Sequence, residues 1–327
     1  MRVLVTGGTG FAGYHLCRRL IEGGHHVTAL VREPSRAGDL IKDGVEIAEG
    51  HLGDPDTLQR ALSGVETVYH LAAVFRRGDL SAKQMQAINA QGTRNLLRMA
   101  HRAGSVGRFV HCSTVGVHGD TGDRPADEEA PLRPGDAYQR SKLEGEMAAR
   151  AYHQDGRLPV VIFRPGGIYG PRDMRFLKLF RSIQGGRFVM LGSGEVLYQM
   201  IFIDDLVDGI LLCGTKDQAL GRTYILTGER PVTLNRLVAL VAEVLGVSIS
   251  GRHWPVAPVY LAGLLCELIC RPLGVDPPLH RRRVDFFRKS RSFNVARARE
   301  ELGFRPRIDL KAGLQRTVAW YRKEGYL

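Results

Sequence analysis

Short apolar runs separated by amphipathic stretches dominate the first half of the chain. Residues 2–6 read Arg-Val-Leu-Val-Thr and end in glycines. A brief continuous apolar run predicts a strand covered on both faces, as in a parallel sheet. From Phe11 the apolar positions Phe11, Leu16, Leu20 and Ile21 recur at helical spacing, until Gly23-Gly24 ends the pattern. Further runs at 27–31, 45–48, 67–71, 108–112 and 159–164 predict the second to sixth strands, with long helices at 81–103 and 136–154. This alternation predicts an α/β fold, a doubly wound parallel sheet of the Rossmann type. After Pro171 the rhythm breaks into a mixture of short strands, helices and loops, including a strand at 224–227 and a capped helix at 233–245. That change predicts a smaller, mixed C-terminal domain.

Length supports two units, since 327 residues exceed what one core usually holds. With 44% hydrophobic and 24% charged residues, the chain reads as an ordinary globular protein. Its five cysteines are scattered and odd in number, which argues against a disulfide framework and for a reducing, cytoplasmic setting. Cys266 and Cys270 share a helical face, but no histidine or cysteine stands at metal-ligand spacing. They are expected to be core thiols, and no metal site is expected. The first apolar run leads into a glycine turn and does not read as a signal peptide. A formal net charge of +12 raises the question of nucleic acid. The basic residues are spread out, the densest cluster being His280-Arg281-Arg282-Arg283, and no nucleic-acid motif accompanies them. A solvated surface that attracts anionic ligands is the expectation, with no nucleic-acid partner.

Candidate chemistry begins at Thr6-Gly7-Gly8-Thr9-Gly10-Phe11-Ala12-Gly13, between a strand and a helix. Gly7 suits the tight turn, Gly10 the approach of backbone to a pyrophosphate, and Gly13 the packing of helix on strand. Phosphates are then drawn to the helix N-terminus. Where NAD-binding turns place an acidic residue after the second strand, this chain has Arg32, with Arg36 close behind and Glu33 between. A guanidinium suits a 2′-phosphate, so NADP(H) is the expected cofactor and NAD(H) the alternative. On the 136–154 helix, Tyr138 and Lys142 stand four residues apart on one face. A phenol ordinarily titrates near ~10. An ammonium about 4 Å away could lower that by up to about three units, which would let the tyrosine exchange a proton with a secondary alcohol.

Together these motifs resemble the extended short-chain dehydrogenase/reductase family of NAD(P)-dependent epimerases, dehydratases and reductases. The resemblance covers nearly the whole chain. It extends through His70-Leu71-Ala72-Ala73, Asn89 with Gly92-Thr93-Arg94-Asn95, Ser113-Thr114, Arg164-Pro165-Gly166-Gly167-Ile168-Tyr169-Gly170-Pro171 and Phe202-Ile203-Asp204-Asp205-Leu206. It implies Tyr138 as general acid/base, Lys142 as its electrostatic partner and holder of the nicotinamide ribose, and Thr114 as the group that orients the substrate oxygen, with Ser113 as fallback. It implies cofactor contacts from Gly7, Gly10, Phe11, Ala12, Gly13, Arg32, Arg36, Leu71, Ala72, Ala73 and Asn89, from Leu52 at the adenine, and from Pro165 and Ile168 at the nicotinamide. His51 stands where the family usually has aspartate. Phe75, His118, Gly167, Tyr169 and Tyr198 are expected around the substrate. The dinucleotide domain is then 1–172 with 199–226 returning to it, and the substrate domain 173–198 plus 227–327. A homodimer through the helices near 81–103 and 136–154 is a family expectation.

Departures bear on the substrate. Members acting on nucleotide sugars often have Asn where Gly167 stands, Arg where Tyr198 aligns, and His where Phe202 stands. Arg172 or Arg283 could compensate. The apolar stretch 258–270 is too short to span a bilayer and resembles the lid of the steroid-dehydrogenase-like and dihydroflavonol-reductase-like branch. It is read as a lid, as a core helix, or, across 258–283, as a peripheral membrane contact. The leading expectation is interconversion of a secondary alcohol and a ketone on an apolar, sterol- or flavonoid-like small molecule. The alternatives are a nucleotide-sugar 4-epimerase or dehydratase that retains its cofactor, and an idle dinucleotide-sensing or RNA-binding module.

Overall fold

A computed structural model of the chain describes residues 1–75, 80–249, 251–270, 277 and 281–327, with the backbone alone at 282 and 283. His280 and the side chains of Arg282 and Arg283 thus lie outside the described residues, as does most of 271–280. Strands β1 (Arg2–Thr6), β2 (His26–Val31), β3 (Glu46–Glu49), β4 (Thr67–His70), β5 (Arg108–Cys112) and β6 (Val160–Pro165) join a seventh strand, Thr223–Leu226, in one sheet. All its pairings are parallel. The order is Thr223–Leu226, β6, β5, β4, β1, β2, β3. The chain leaves β1 to one side for β2 and β3, then returns to the other side for β4. That reversal opens a crevice at the carboxyl ends of β1 and β4.

The short apolar runs form strands because the sheet is buried on both faces. Val3 and Val5 of β1 pack into one cluster with Leu16 and Leu20 of α1 (Phe11–Glu22) and with Ile203, Leu206 and Ile210. Leu4 points the other way, into a second cluster with Leu58, Leu96, Leu97 and Ala149. Side chains alternate across a strand, so a run apolar at every position needs cover on both sides.

The helical stretch from 82 to 103 is unbroken but irregular. Ala82–Gln86 and Gly92–Ala103 are joined by a π turn at Ala87–Gln91. Asn89 sits in this turn, and its amide is held from outside the helix. The third strand begins one residue later than its apolar run suggested.

Beyond β6 the chain makes short two-stranded pairings, 167–169 with 200–202, 197–198 with 232–233, and 190–191 with 253–254. Helices Leu177–Gln184, Leu234–Leu245 and Leu310–Lys323 pack around them. The cluster that begins at Val3 continues without a break to Val318 and Tyr321. Thr223–Leu226 completes the main sheet beside β6, and Asp208 of the Ile203–Thr215 helix binds Arg19 of α1 at 2.5 Å.

Candidate active site

The N-terminus of α1 is left open for a ligand. Its N-cap, Gly10, supplies no side-chain hydrogen bond, and no acidic residue occupies the first turn. The helices at Pro55, Ala82, Ala137, Leu234 and Leu310 are instead capped by Asp54, Ser81, Asp136, Thr233 and Asp309. The first N–H groups of a helix have no partner within it. On α1 they face the crevice with neither cap nor competing carboxylate, which suits a pyrophosphate. Gly7 has φ +81°, and a Cβ there would lie 2.7 Å from the Ala72 nitrogen; a Cβ on Gly13 would overlap the Gly7 carbonyl oxygen. The turn therefore lies against the end of β4 and the start of its own helix, a cradle that side chains would fill.

A hydrogen-bonded chain ties this turn to its surroundings. Thr6 Oγ1 and His70 Nδ1 are 2.7 Å apart, and His70 Nε2 and Thr93 Oγ1 2.8 Å. Thr93 donates to the Asn89 carbonyl at 2.6 Å, and Thr6 Oγ1 accepts from the Ala72 N–H at 3.3 Å. One consistent proton arrangement follows: Thr6 donates to Nδ1, and the Nε2–H donates to Thr93. His70 is then neutral. Burial pushes its pKa down to about 3, helped by the Lys142 charge.

Asn89 belongs to this framework. Its Oδ1 accepts from the Val74 N–H at 2.8 Å, and its Nδ2 donates to the Val74 carbonyl at 3.1 Å and to Ser141 Oγ at 3.0 Å. With its amide spent, it pins the 71–75 segment to the helix Ala137–Gln154. Ser141 in turn donates to the Tyr138 carbonyl at 2.8 Å. Leu71 and Ala72 are half-buried and Ala73 exposed beside the glycine turn. Leu52 is buried, and its carbonyl accepts from Asn95 at 2.9 Å. His51 Nδ1 accepts from the Gly53 N–H, so its ring serves its own loop. Arg32 and Arg36 are exposed just past β2, with Arg36 3.8 Å from Glu33.

The helix Ala137–Gln154 carries Tyr138 half-buried near its start and Lys142, only 2% exposed, one turn on. Burial lowers the Lys142 pKa, opposed by Cys112 and Glu146. The Phe75 ring meets Tyr138 edge-on at 4.9 Å. Thr114 ends the segment after β5. Its Oγ1 accepts from the Gly116 N–H at 3.1 Å, which leaves its own proton available. Ser113 is buried and donates to Glu146 Oε2 at 2.6 Å. Of the two neighbouring hydroxyls, Thr114 is thus the one able to serve a substrate.

Two residues expected around the substrate are buried and bonded within the fold. His118 is buried, and its Nε2 accepts from Arg164 Nη1 at 3.0 Å. Burial, then the Arg164 charge, brings its pKa to about 4. Tyr169 is buried, with its hydroxyl donating to the Leu310 carbonyl at 3.4 Å. Gly167 is half-buried beside Met200, and Pro165 and Ile168 flank it. Tyr198 lies under the Arg291 guanidinium, 5.2 Å from its ring centre, and bonds to it through its hydroxyl. Arg172 is engaged elsewhere, with Asp39 at 2.8 Å and over the Tyr14 ring.

Two features escaped the sequence reading. Behind the helix Ala137–Gln154, Arg164 and Glu146 form a fully buried pair, with Nε–Oε2 3.1 Å and Nη2–Oε1 2.5 Å. Glu146 continues the Tyr138–Lys142 spacing by four, a signal that pointed to it. Arg175 bridges the crevice: its guanidinium lies 5.3 Å from the Phe11 ring centre and 6.0 Å from that of Phe75. It also donates to the Ile168 carbonyl at 2.6 Å and to Asp173 at 2.7 Å. Only tertiary structure brings these segments together.

Residues 3–226 match the model of the NAD dependent epimerase/dehydratase family. A dTDP-glucose 4,6-dehydratase of Streptomyces griseus is 32% identical, over 98% of this chain and 94% of its own length. A 4-hydroxy-2-methyl-3-oxo-4-farnesyl-3,4-dihydroquinoline-1-oxide ketoreductase of Stigmatella aurantiaca is 31% identical, over 96% and 95%. Among solved structures, the dTDP-glucose 4,6-dehydratase DesIV of Streptomyces venezuelae, with NAD and TYD bound, superposes with a TM-score of 0.80 at 30% identity, covering 99% of this chain and 97% of that one. An open α1 N-terminus over a doubly wound sheet and these whole-length likenesses agree: the chain belongs to the NAD-dependent epimerase/dehydratase family, within the extended short-chain dehydrogenases/reductases.

Proposed function

We propose that the protein interconverts a secondary alcohol and a ketone on a largely apolar small molecule, with NADP(H) as cofactor. The observation that carries this reading is the grouping on one crevice of an uncapped helix N-terminus, a Thr114 hydroxyl with a spare proton, and Tyr138 one helical turn before a buried Lys142. The bound nicotinamide would supply or accept the hydride. In reduction, the carbonyl carbon gains that hydride and its oxygen takes a proton from Tyr138; in oxidation both move back. Thr114 donates to the substrate oxygen and orients it. The Lys142 charge, one helical turn on, would favour the phenolate left after proton transfer. Arg32, exposed past β2, is available to a 2′-phosphate.

A second reading, a nucleotide-sugar epimerase or dehydratase that retains its cofactor, has its own support. The arginine missing from the aligned position at Tyr198 is matched in space by Arg291, stacked on that tyrosine. A guanidinium there could hold a diphosphate. The test is a panel of ketones and nucleotide sugars followed at the nicotinamide absorbance. Net NADPH consumption with a carbonyl substrate supports the first reading. Product formation from a nucleotide sugar with no net absorbance change would replace it by the second.

A further inference from the structure

The helix Val256–Cys270 turns its apolar side outward. Its exposed positions include Pro258, Leu261, Leu265, Leu268 and Ile269, spaced three and four apart, so they line one side. The last four are 52–62% exposed. Among the described residues of this helix only Gly263 and Glu267 are buried. Glu267, its sole charged side chain, is turned inward, accepting from the Arg281 backbone N–H at 2.9 Å, from Nε at 3.2 Å and from Nη2 at 3.0 Å. The charge is spent inside while the leucines face out.

The rim of this stripe is aromatic and basic. Trp254, 58% exposed, precedes the helix and follows exposed Arg252 and His253. Tyr260 lies under two guanidinium groups, Arg288 at 4.5 Å and Arg281 at 5.9 Å. Amphipathic rings and arginines beside an apolar surface suit the boundary between acyl chains and headgroups. The helix has 15 residues, and no described helix is long and apolar enough to cross a membrane. A second copy is a poor match for this face. Self-pairing across the stripe would set arginine rims near one another, and the helix offers no exposed acidic side chain to balance them.

We infer that the Val256–Cys270 helix, with Trp254, Tyr260, Arg252 and Arg288 at its rim, docks the protein on the surface of an anionic lipid bilayer. The helix lies in the plane of the interface, its leucine stripe among the acyl chains and its arginines against the headgroups. The proposal does not depend on which reaction the crevice performs.

Flotation of the full chain with vesicles tests it. Binding is expected to phosphatidylcholine mixed with phosphatidylglycerol, to be far weaker to phosphatidylcholine alone, and to fall with added salt. Replacing Leu265→Glu and Leu268→Glu together is expected to lower the vesicle partition about tenfold or more per leucine, with thermal melting unchanged because both positions are exposed. Should that variant melt early, Arg288→Glu serves instead, and weaker binding to the anionic vesicles alone is expected. Failure to float with anionic vesicles, equal binding to neutral ones, or binding indifferent to these substitutions would overturn the proposal. So would a dimer, seen by light scattering, that the leucine substitutions dissociate in a protein that binds no vesicles.

Discussion

Two helices in this molecule each bury one glutamate against an arginine, yet present opposite outer faces. In Ala137–Gln154, Glu146 meets Arg164 with both side chains about 1% exposed, and the helix carries Tyr138 and Lys142. In Val256–Cys270, Glu267 meets Arg281, whose side chain is 35% exposed, and leucines face outward. A buried ion pair therefore does not reveal what a helix is for. The first pair is enclosed by the sheet and fixes the backing of Ser113, beside Thr114; the second holds down a helix whose other side is an exposed apolar stripe.

The comparison breaks most readily at the face that carries Tyr138. Tyr138→Phe is expected to cut kcat by about 10²–10⁴-fold while cofactor binding, read by fluorescence titration, persists. Retained turnover would remove Tyr138 from proton transfer. Next in size, Arg164→Leu removes the buried partner of Glu146 and leaves it Ser113 and the partly exposed Arg150. A stability loss of about 3–5 kcal/mol is expected in denaturant titration, whereas Arg281→Leu should cost visibly less, since solvent reaches that pair. Equal losses would erase the distinction between the helices.

Acid sharpens the same contrast. His70 and His118 have pKa values lowered in the fold to about 3 and about 4. Between those values and the ordinary ~6.5, the unfolded chain binds protons that the fold does not. Their stabilisation is thus complete above pH about 6.5 and falls as pH drops toward 4, by at most on the order of 3 kcal/mol for His118. Chemical denaturation across that range measures it, and His118→Gln should flatten the curve. The smallest expected effect is at the adenine end. Arg32→Ser should lower the ratio of kcat/KM for NADPH over NADH by tens of fold, the worth of one charge-assisted hydrogen bond at about 1.5–3 kcal/mol. A native preference for NADH would reject the 2′-phosphate role.

Legibility followed locality. The strand–turn–helix at the N-terminus could be read because its signals are contiguous: an apolar run, glycines where a Cβ would collide, then helical periodicity. Tyr138 and Lys142 could be read because four residues are one helical turn. The bonds of Asn89 could not be read, for the opposite reason. Its partners Val74 and Ser141 come from two other segments, and nothing near it in the chain names them. Cys266 and Cys270, expected in a core, are half-buried, since the narrow inner side of their helix is taken by Gly263 and Glu267.

The sequence alone determined the sheet, the glycine turn and the one-turn spacing of Tyr138 and Lys142, because backbone sterics and helical spacing act between near neighbours. Tertiary structure alone decided which polar groups remained free to act. It spent Ser113 on Glu146, His118 on Arg164 and Asn89 on a loop, left Thr114 a proton, and set Arg175 and Arg291 where no linear motif predicted an arginine. A hydrogen-bonding group can be claimed by any partner the fold brings within about 3 Å, and that choice is made only once distant segments meet.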